Sequence, residues 1–163
     1  MSEKDNPKVY PVDSREHMLK PQDIFAVAAH EDKANLERFA PAAKKVGVSP
    51  ERMLYSVMIK QYSNPGLIRI RSGNTLFTIA AFPGRVGFVV GYNADIAPNY
   101  INNLVDLFMA ARKMGFDVLL AHANETVVRA LKAALRRGQG LNIKHKFDTK
   151  TGAFAISTDR AKK

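Results

Sequence analysis

The sequence predicts a mixed α+β fold: N-terminal helices, a central and mostly antiparallel sheet, and a closing β-hairpin. In the first third of the chain, apolar residues recur at helical spacing. Short apolar runs separated by turn-forming residues follow, which is typical of a strand meander. Within residues 85–138, a long amphipathic segment joins two apolar runs. That order predicts one helical crossover to a strand that lies parallel, or nearly parallel, to the strand before it.

The composition excludes several classes of protein. The chain has 163 residues, which suits one domain with an ordinary core. It contains no cysteine, so disulfides, thiolate metal ligands and a cysteine nucleophile are excluded. Its four histidines lack zinc-ligand spacing, and we predict no metal site. Because the apolar runs are too short to span a bilayer and residues 1–11 lack an apolar core, we expect no transmembrane segment and no secretory signal.

The formal net charge of +10 comes from 25 Lys and Arg residues against 15 Asp and Glu residues. Such an excess favours a partner that carries phosphate, which means nucleic acid, a membrane surface or a nucleotide such as coenzyme A. The alternative interpretation is that the charge only keeps the protein soluble. Composition alone leaves both open.

Three helices are predicted from their ends. Pro21 is expected at the first position of one helix, and Asp32 is expected to cap the next. Pro41 lies inside that second helix and should kink or divide it, and Gly47 should end it. Ser49 is expected to cap a third helix. The predicted buried face of the third helix consists of Met53, Leu54, Val57, Met58 and Tyr62.

An antiparallel meander of three strands is predicted next. Residues 67–71 alternate apolar and basic side chains, as a half-exposed strand does. Ser72-Gly73-Asn74 is a hairpin signal, and the strand at 75–82 is apolar on both faces, which places it inside the sheet. The third strand is predicted at residues 85–92.

The crossover helix is predicted to begin near Pro98 and to end at Gly115. The following strand at 116–121 should lie beside the strand at 85–92, and Asn124 is a good cap for the last helix. The remaining predicted ranges are a short edge strand at 8–12 and a closing hairpin of residues 141–147 and 153–158. We expect a flexible N-terminal segment at 1–20, one domain at 21–158 and a basic tail at 159–163.

This order of elements resembles the GNAT superfamily of N-acetyltransferases. Gly91 lies near the end of the third meander strand, where that family places a bulge that exposes backbone to the pantetheine arm of coenzyme A. Asn124 follows the parallel strand, where the family commonly has an asparagine. If acetyl-CoA binds, the resemblance implies that Gly91, Tyr92, Asn93 and Asn124 contact it. Taken alone, Gly91 also fits an ordinary strand glycine, and Asn124 fits a plain helix cap.

The sequence departs from active members of the family at the first turn of the crossover helix. Active members bind the coenzyme A diphosphate there on a glycine-rich turn, because side chains would hold phosphates away from the amides. Residues 92–101 contain no glycine, Pro98 lacks an N–H, and Asp95 adds a negative charge. Leu131, seven positions after Asn124, stands where the family has its catalytic tyrosine. Asp95 is the nearest candidate for a general base, and we expect it to be a solvated loop residue, so we assign no catalytic residue.

A GNAT-like fold with these departures is similar to the small GNAT-like internal virion and assembly proteins of T7-like short-tailed phages. The similarity lies in the architecture, in Asn124 and in Leu131. It implies a non-catalytic structural or binding protein of the host cytoplasm or virion interior, which contacts other virion proteins or further copies of itself as a homo-oligomer. An acyl-CoA-dependent N-acetyltransferase with an atypical cofactor turn is the alternative. A DNA-binding protein on an unrelated α+β fold is a third interpretation.

A basic face is predicted on the last helix and just beyond it. The pattern suits contact with DNA phosphates without base readout, because no recognition motif is present and no aromatic residues interleave with the charges. A solvated helix face is the alternative. The residues of this predicted phosphate-binding set are Arg129, Lys132, Arg136, Arg137, Lys144 and Lys146.

Overall fold

The computed structural model describes residues 18–122, 125–137, 144–147 and 153–157. Within these residues the chain forms five helices and six strands, which confirms the mixed α+β class. The predicted edge strand at 8–12, the cap Asn124 and the basic tail lie outside the described residues. The elements are α1 (Pro21–Glu31), α2 (Lys33–Val46), α3 (Pro50–Tyr62), β1 (Ile68–Ser72), β2 (Thr75–Phe82), β3 (Val86–Asn93), α4 (Ala97–Met114), β4 (Val118–His122), α5 (Glu125–Arg137), β5 (Lys144–Phe147) and β6 (Ala153–Ser157).

The six strands form one sheet in the order β1-β2-β3-β4-β6-β5. β3 and β4 run parallel and are joined by α4. This confirms the predicted helical crossover to a strand beside β3. The other described neighbours are antiparallel. β2 lies between β1 and β3, which confirms its predicted internal position.

The parallel pair is short. β3 pairs with β4 only from Val86 to Phe88, opposite residues 118–120. β3 continues to Asn93 beside β2, and β4 continues to His122 beside β6. Among the described residues, the parallel pairing therefore ends at Phe88, and no residue of 89–93 is paired with β4.

Apolar side chains cover both faces of the sheet near β2. Leu76 packs in a cluster with residues of α1 and α3, including Phe25 and Leu54. The next residue, Phe77, points to the opposite face and packs with α4 and α5. Because successive strand residues face opposite sides, this alternation places the sheet between two helical layers.

The predicted helix ends agree with the structure. Asp32 accepts a hydrogen bond from the Asn35 amide, and the Ser49 hydroxyl accepts one from the Arg52 amide. Gly47 ends α2 with a φ of 78°, a left-handed conformation that glycine adopts at little cost. Pro41 does not divide α2, which runs unbroken from Lys33 to Val46.

The predicted buried face of α3 is partly wrong. Leu54 and Met58 are buried as expected. Tyr55, which was not assigned to that face, is buried with them, while Met53, Val57 and Tyr62 are half-buried. The face is therefore rotated toward Tyr55, because α3 contacts both α1 and α2.

None of the helices in the described part of the chain is both long enough and apolar enough to cross a bilayer. The same residues contain no group of three or more His, Asp or Glu side chains that could hold a metal ion.

Candidate functional site

Asp95 lies at the junction of β3 and α4, where an anionic cofactor would have to approach the helix. Its side chain is 7% exposed, so the expectation of a solvated loop aspartate is wrong. Its Oδ2 atom accepts a hydrogen bond from the backbone N–H of Asn74 at 2.9 Å and another from Asn103 Nδ2 at 2.7 Å. Its Oδ1 atom accepts a third from Asn74 Nδ2 at 3.3 Å. Donors from a hairpin turn and from α4 therefore surround the carboxylate.

These bonds belong to a larger network. Asn103 is fully buried, and its amide group also donates to Thr75 Oγ1 at 2.8 Å. Thr75 in turn donates to Asn93 Oδ1 at 2.7 Å, and the Asp95 amide donates to the same oxygen at 3.0 Å. Ser72 Oγ lies within hydrogen-bond distance of Asn103 and of Asp106. We call this set the polar cluster: Ser72, Asn74, Thr75, Asn93, Asp95, Asn103 and Asp106.

The polar cluster joins three parts of the chain. It connects the turn between β1 and β2, the end of β3 and the first half of α4. The Leu19 amide donates to Asn74 Oδ1, so the chain just before α1 is tied to the same turn. The Asp95 carboxylate is thus buried and accepts three hydrogen bonds from within the protein.

The first turn of α4 offers little to an anion. Ile96 is the N-cap residue, its side chain makes no capping bond, and Pro98 follows in the first turn. The buried charge of Asp95 lies directly before this helix end. A diphosphate placed there would meet one fewer amide donor and a like charge, which offsets the attraction of the helix dipole.

Tyr92 and Asn93, which the resemblance assigned to a cofactor, are engaged within the protein. Tyr92 is 2% exposed, its hydroxyl lies 3.1 Å from Gln61 Oε1, and its ring packs edge-on against Phe25. Burial raises the pKa of the Tyr92 hydroxyl above its usual value. Asn93 belongs to the polar cluster, and Asn124 lies outside the described residues.

Gly91 is exposed and pairs directly with Phe77 of β2. The register between β2 and β3 is continuous from Thr75 opposite Asn93 to Phe82 opposite Val86. No bulge therefore interrupts the pairing of Gly91 with β2, which fits the interpretation of Gly91 as an ordinary strand glycine. Gly91 instead leaves room for the Phe77 ring, because an added Cβ would lie 3.3 Å from two ring atoms. It also lies on the part of β3 that is not paired with the described residues of β4.

Leu131 occupies the position that the family resemblance assigns to a catalytic tyrosine. Its side chain is 4% exposed and packs in the core cluster of α4, α5 and the sheet. The side chain at this position therefore contributes to the core and is not presented to a ligand.

The basic face of α5 is exposed as predicted. Arg129, Lys132 and Arg136 all point to solvent. Arg137 is exposed too, but its Nη1 atom donates to Asn102 Oδ1 of α4 at 3.1 Å. Lys144 and Lys146 are residues of β5, and their side chains are outside the described part of the chain. The structure thus brings three of the six predicted cations together on one helical face and turns a fourth toward α4.

A pocket between α1 and the start of α3 was not predicted from the sequence. It has a volume of about 210 Å³. The pKa of the Tyr55 hydroxyl in its wall is raised above the usual value, chiefly by burial. The charge of Arg52 lowers this pKa, and the charge of Asp23 raises it. The lining residues are Ala26, Ala29, His30, Ser49, Glu51, Arg52 and Tyr55.

A scan against models of protein families found no matching family, and a search of curated proteins found no match.

Proposed function

We propose that this chain is a non-catalytic binding protein of GNAT-like architecture, an internal virion or assembly component of a short-tailed phage. The Asp95 carboxylate carries the proposal. It is buried, hydrogen-bonded three times, and placed directly before the helix end that would have to bind the coenzyme A diphosphate. At the junction of β3 and α4, this carboxylate connects the β1–β2 turn to α4.

The order of elements supports the GNAT-like part of the proposal. Three helices precede an antiparallel meander, α4 crosses to a parallel strand, and two antiparallel strands close the sheet. Fold alone does not imply acetyl transfer, because an activity depends on the residues of a site. At the two positions where the family has its bulge and its tyrosine, this chain has a regular strand pair and the buried Leu131.

Exposed apolar residues support the part of the proposal that concerns partners. They favour binding to other proteins, either other virion proteins or further copies of this chain. Val46 and Val48, which flank the end of α2, are 66% and 40% exposed. Met109 on α4 is 55% exposed. Covering such side chains at an interface removes apolar surface from water, which stabilises the assembly.

Calorimetric titration of the full chain with acetyl-CoA tests whether the chain binds this cofactor, which acetyl transfer would require. We expect no binding up to about 1 mM ligand. A Kd weaker than about 1 mM corresponds to a binding free energy smaller than about 4 kcal/mol. Micromolar binding that is lost when Gly91 is replaced by Val would overturn the proposal. Portal, capsid or tail genes beside its own gene are the expected genomic setting.

The alternative function is acyl-CoA-dependent N-acetyl transfer, and one observation favours it. Among the described residues, the pairing of β3 with β4 ends at Phe88, and the Gly91 segment has no partner in β4. An extended amide chain such as pantetheine hydrogen-bonds to open strand backbone of this kind. Transfer of a labelled acetyl group to a primary amine, with acetyl-CoA saturating, would establish this alternative.

A further inference from the structure

The exposed face of α5 carries positive charge without any acidic residue among its described side chains. From Thr126 to Arg137 the sequence has four cations and no Asp or Glu. The opposite face of the helix is apolar and packs in the core through Val128, Leu131 and Ala134. The helix is therefore held rigidly, with its charges directed outward.

The three solvent-directed cations form a compact row. At 3.6 residues per turn, Arg129, Lys132 and Arg136 lie within an arc of about 60°. From Arg129 to Arg136 the row extends about 10 Å along the helix axis. One strand of duplex DNA carries a phosphate about every 3.4 Å of rise along its axis, and successive phosphates also turn around that axis, so they lie farther apart in space than this rise. The row is long enough to contact two neighbouring phosphates of one strand.

We propose that this row, Arg129, Lys132 and Arg136, binds the phosphate backbone of duplex DNA without reading its sequence. The inference rests on the proposed function and names one partner of the non-catalytic binding protein. Three ordered cations on a rigid helix neutralise phosphates and release the counterions condensed on the DNA, which is the main source of non-specific affinity.

Other anionic partners fit this face less well. An interfacial membrane helix needs an exposed apolar face, and the apolar face of α5 is buried in the core. Single-stranded nucleic acid is bound by aromatic side chains that stack on bases, and α5 has no aromatic residue. Base readout in the major groove is usually made by a recognised docking motif, and the sequence contains none.

Arg137 is outside the binding row. Its guanidinium is held by the Asn102 side chain and faces α4. That bond places the end of α5 beside the first half of α4 and helps to orient the row. Replacing Arg137 would disturb helix packing as well as charge, and it is therefore left unchanged in the test.

The test measures fluorescence anisotropy of a labelled 20-base-pair DNA duplex with the full chain between 50 and 300 mM NaCl. The test variant combines Arg129→Ala, Lys132→Ala and Arg136→Ala. The matched control combines Lys44→Ala, Lys45→Ala and Lys60→Ala, which are exposed lysines of α2 and α3. Both variants lose three positive charges, so they differ only in where the charge is lost. Circular dichroism checks that both remain folded.

We expect the test variant to bind roughly 100-fold more weakly than the wild type at 0.1 M salt, with a salt slope shallower by about 2 to 3. The control should keep the affinity within about threefold and leave the salt slope unchanged. Equal losses in both variants would overturn the proposal, because net charge would then explain the binding.

Two further arms identify the ligand. Duplexes of different sequence should bind with affinities within about threefold of one another, and a tenfold preference would overturn sequence-independent binding. Tighter binding to single strands, to an RNA duplex or to anionic lipid vesicles would overturn the choice of duplex DNA. The acetyl-CoA titration is measured without DNA, so a failure of one proposal is distinguishable from a failure of the other.

Discussion

Asp95 brings a carboxylate into the interior, where burial of a charge is costly unless hydrogen bonds compensate. Two of its three donors come from Asn74 and the third from Asn103. Charge-assisted bonds of this kind are about twice as strong as neutral ones. A single side chain thus connects a hairpin turn to the crossover helix.

Replacing Asp95 with Ala is expected to lower the free energy of unfolding by about 3 kcal/mol. The change leaves the Asn74 amide and the Asn103 side chain without their acceptor, at about 1 to 3 kcal/mol for each buried group. Urea denaturation followed by circular dichroism measures the loss. Glu37→Ala, at an exposed position of α2, is the control and should change stability by less than about 0.5 kcal/mol. A loss below 1 kcal/mol for Asp95→Ala would show that the polar cluster contributes little.

Arg85 combines an unfavourable backbone conformation with useful side-chain contacts. Its φ is 62°, in the left-handed region that favours glycine. Its Nε atom donates to the Gly115 carbonyl at 2.8 Å and lies 3.4 Å from the Asp117 carboxylate. The tip of the β2–β3 hairpin is thereby attached to the end of α4 and the start of β4.

Two substitutions separate these effects. Arg85→Ala loses the side-chain contacts and keeps the strained backbone, whereas Arg85→Gly loses the contacts and relieves the strain. We therefore expect Arg85→Gly to be more stable than Arg85→Ala by about 1 kcal/mol. Thermal unfolding of the two variants side by side measures this difference. A lower melting temperature for Arg85→Gly would contradict it.

At the scale of elements, α4 has contacts on both sides. Leu104, Phe108 and Ala111 face the sheet and α5, while Asn103 joins the polar cluster. Tyr100 lies one turn into the helix, and burial raises the pKa of its hydroxyl to about 12. The neutral hydroxyl is therefore favoured in the folded state.

This shift predicts an alkaline loss of stability. Between pH 10 and pH 12, the Tyr100 hydroxyl ionises in the unfolded chain while it stays protonated in the folded chain, so stability falls as pH rises. Below pH 10 the group has no effect. We expect Tyr100→Phe to remove part of that fall, at most about 2 to 3 kcal/mol by pH 12.

Urea unfolding of both proteins at pH 9 and pH 11.5 measures the difference, and tyrosinate absorbance near 295 nm reports the ionisation directly. If the substitution leaves the absorbance change above pH 11 unaltered, Tyr100 is not the residue that ionises last.

The helices and strands were largely predictable, because their signals are local. Asp32 and Ser49 cap helices whose first amide donors lie three residues away. The β2 strand is apolar over several consecutive residues, and that pattern needs no knowledge of its neighbours. The unbroken course of α2 through Pro41 was not predicted.

The polar cluster was not predictable in this way, because its contacts join distant residues. Asp95 meets Asn74 across 21 positions of sequence and Asn103 across eight. One signal was available: Asn103 lies four residues before Leu107, on the apolar side of α4, where a polar side chain needs a buried partner. The sequence contained no indication of which acceptor it would meet.

At the scale of the whole molecule, the sheet separates two helical layers with different surfaces. α4 and α5 lie on one side and present the cationic row, while α1 and α3 lie on the other. The order of the elements along the sequence was sufficient to predict the central parallel pair. Among the described residues, the parallel pairing of β3 with β4 ends at Phe88, and the strand patterns of the sequence did not indicate where it would end.

Among the described strands, the two margins of the sheet are β1 and β5. Arg69 and Arg71 alternate along β1. Open strand margins template pairing between molecules, and cations on them oppose it. Two copies approaching through their β1 strands would bring like charges together. We therefore expect concentrated solutions to resist fibre formation, and any homo-oligomer to assemble through helical surfaces without joining its sheets into a ribbon.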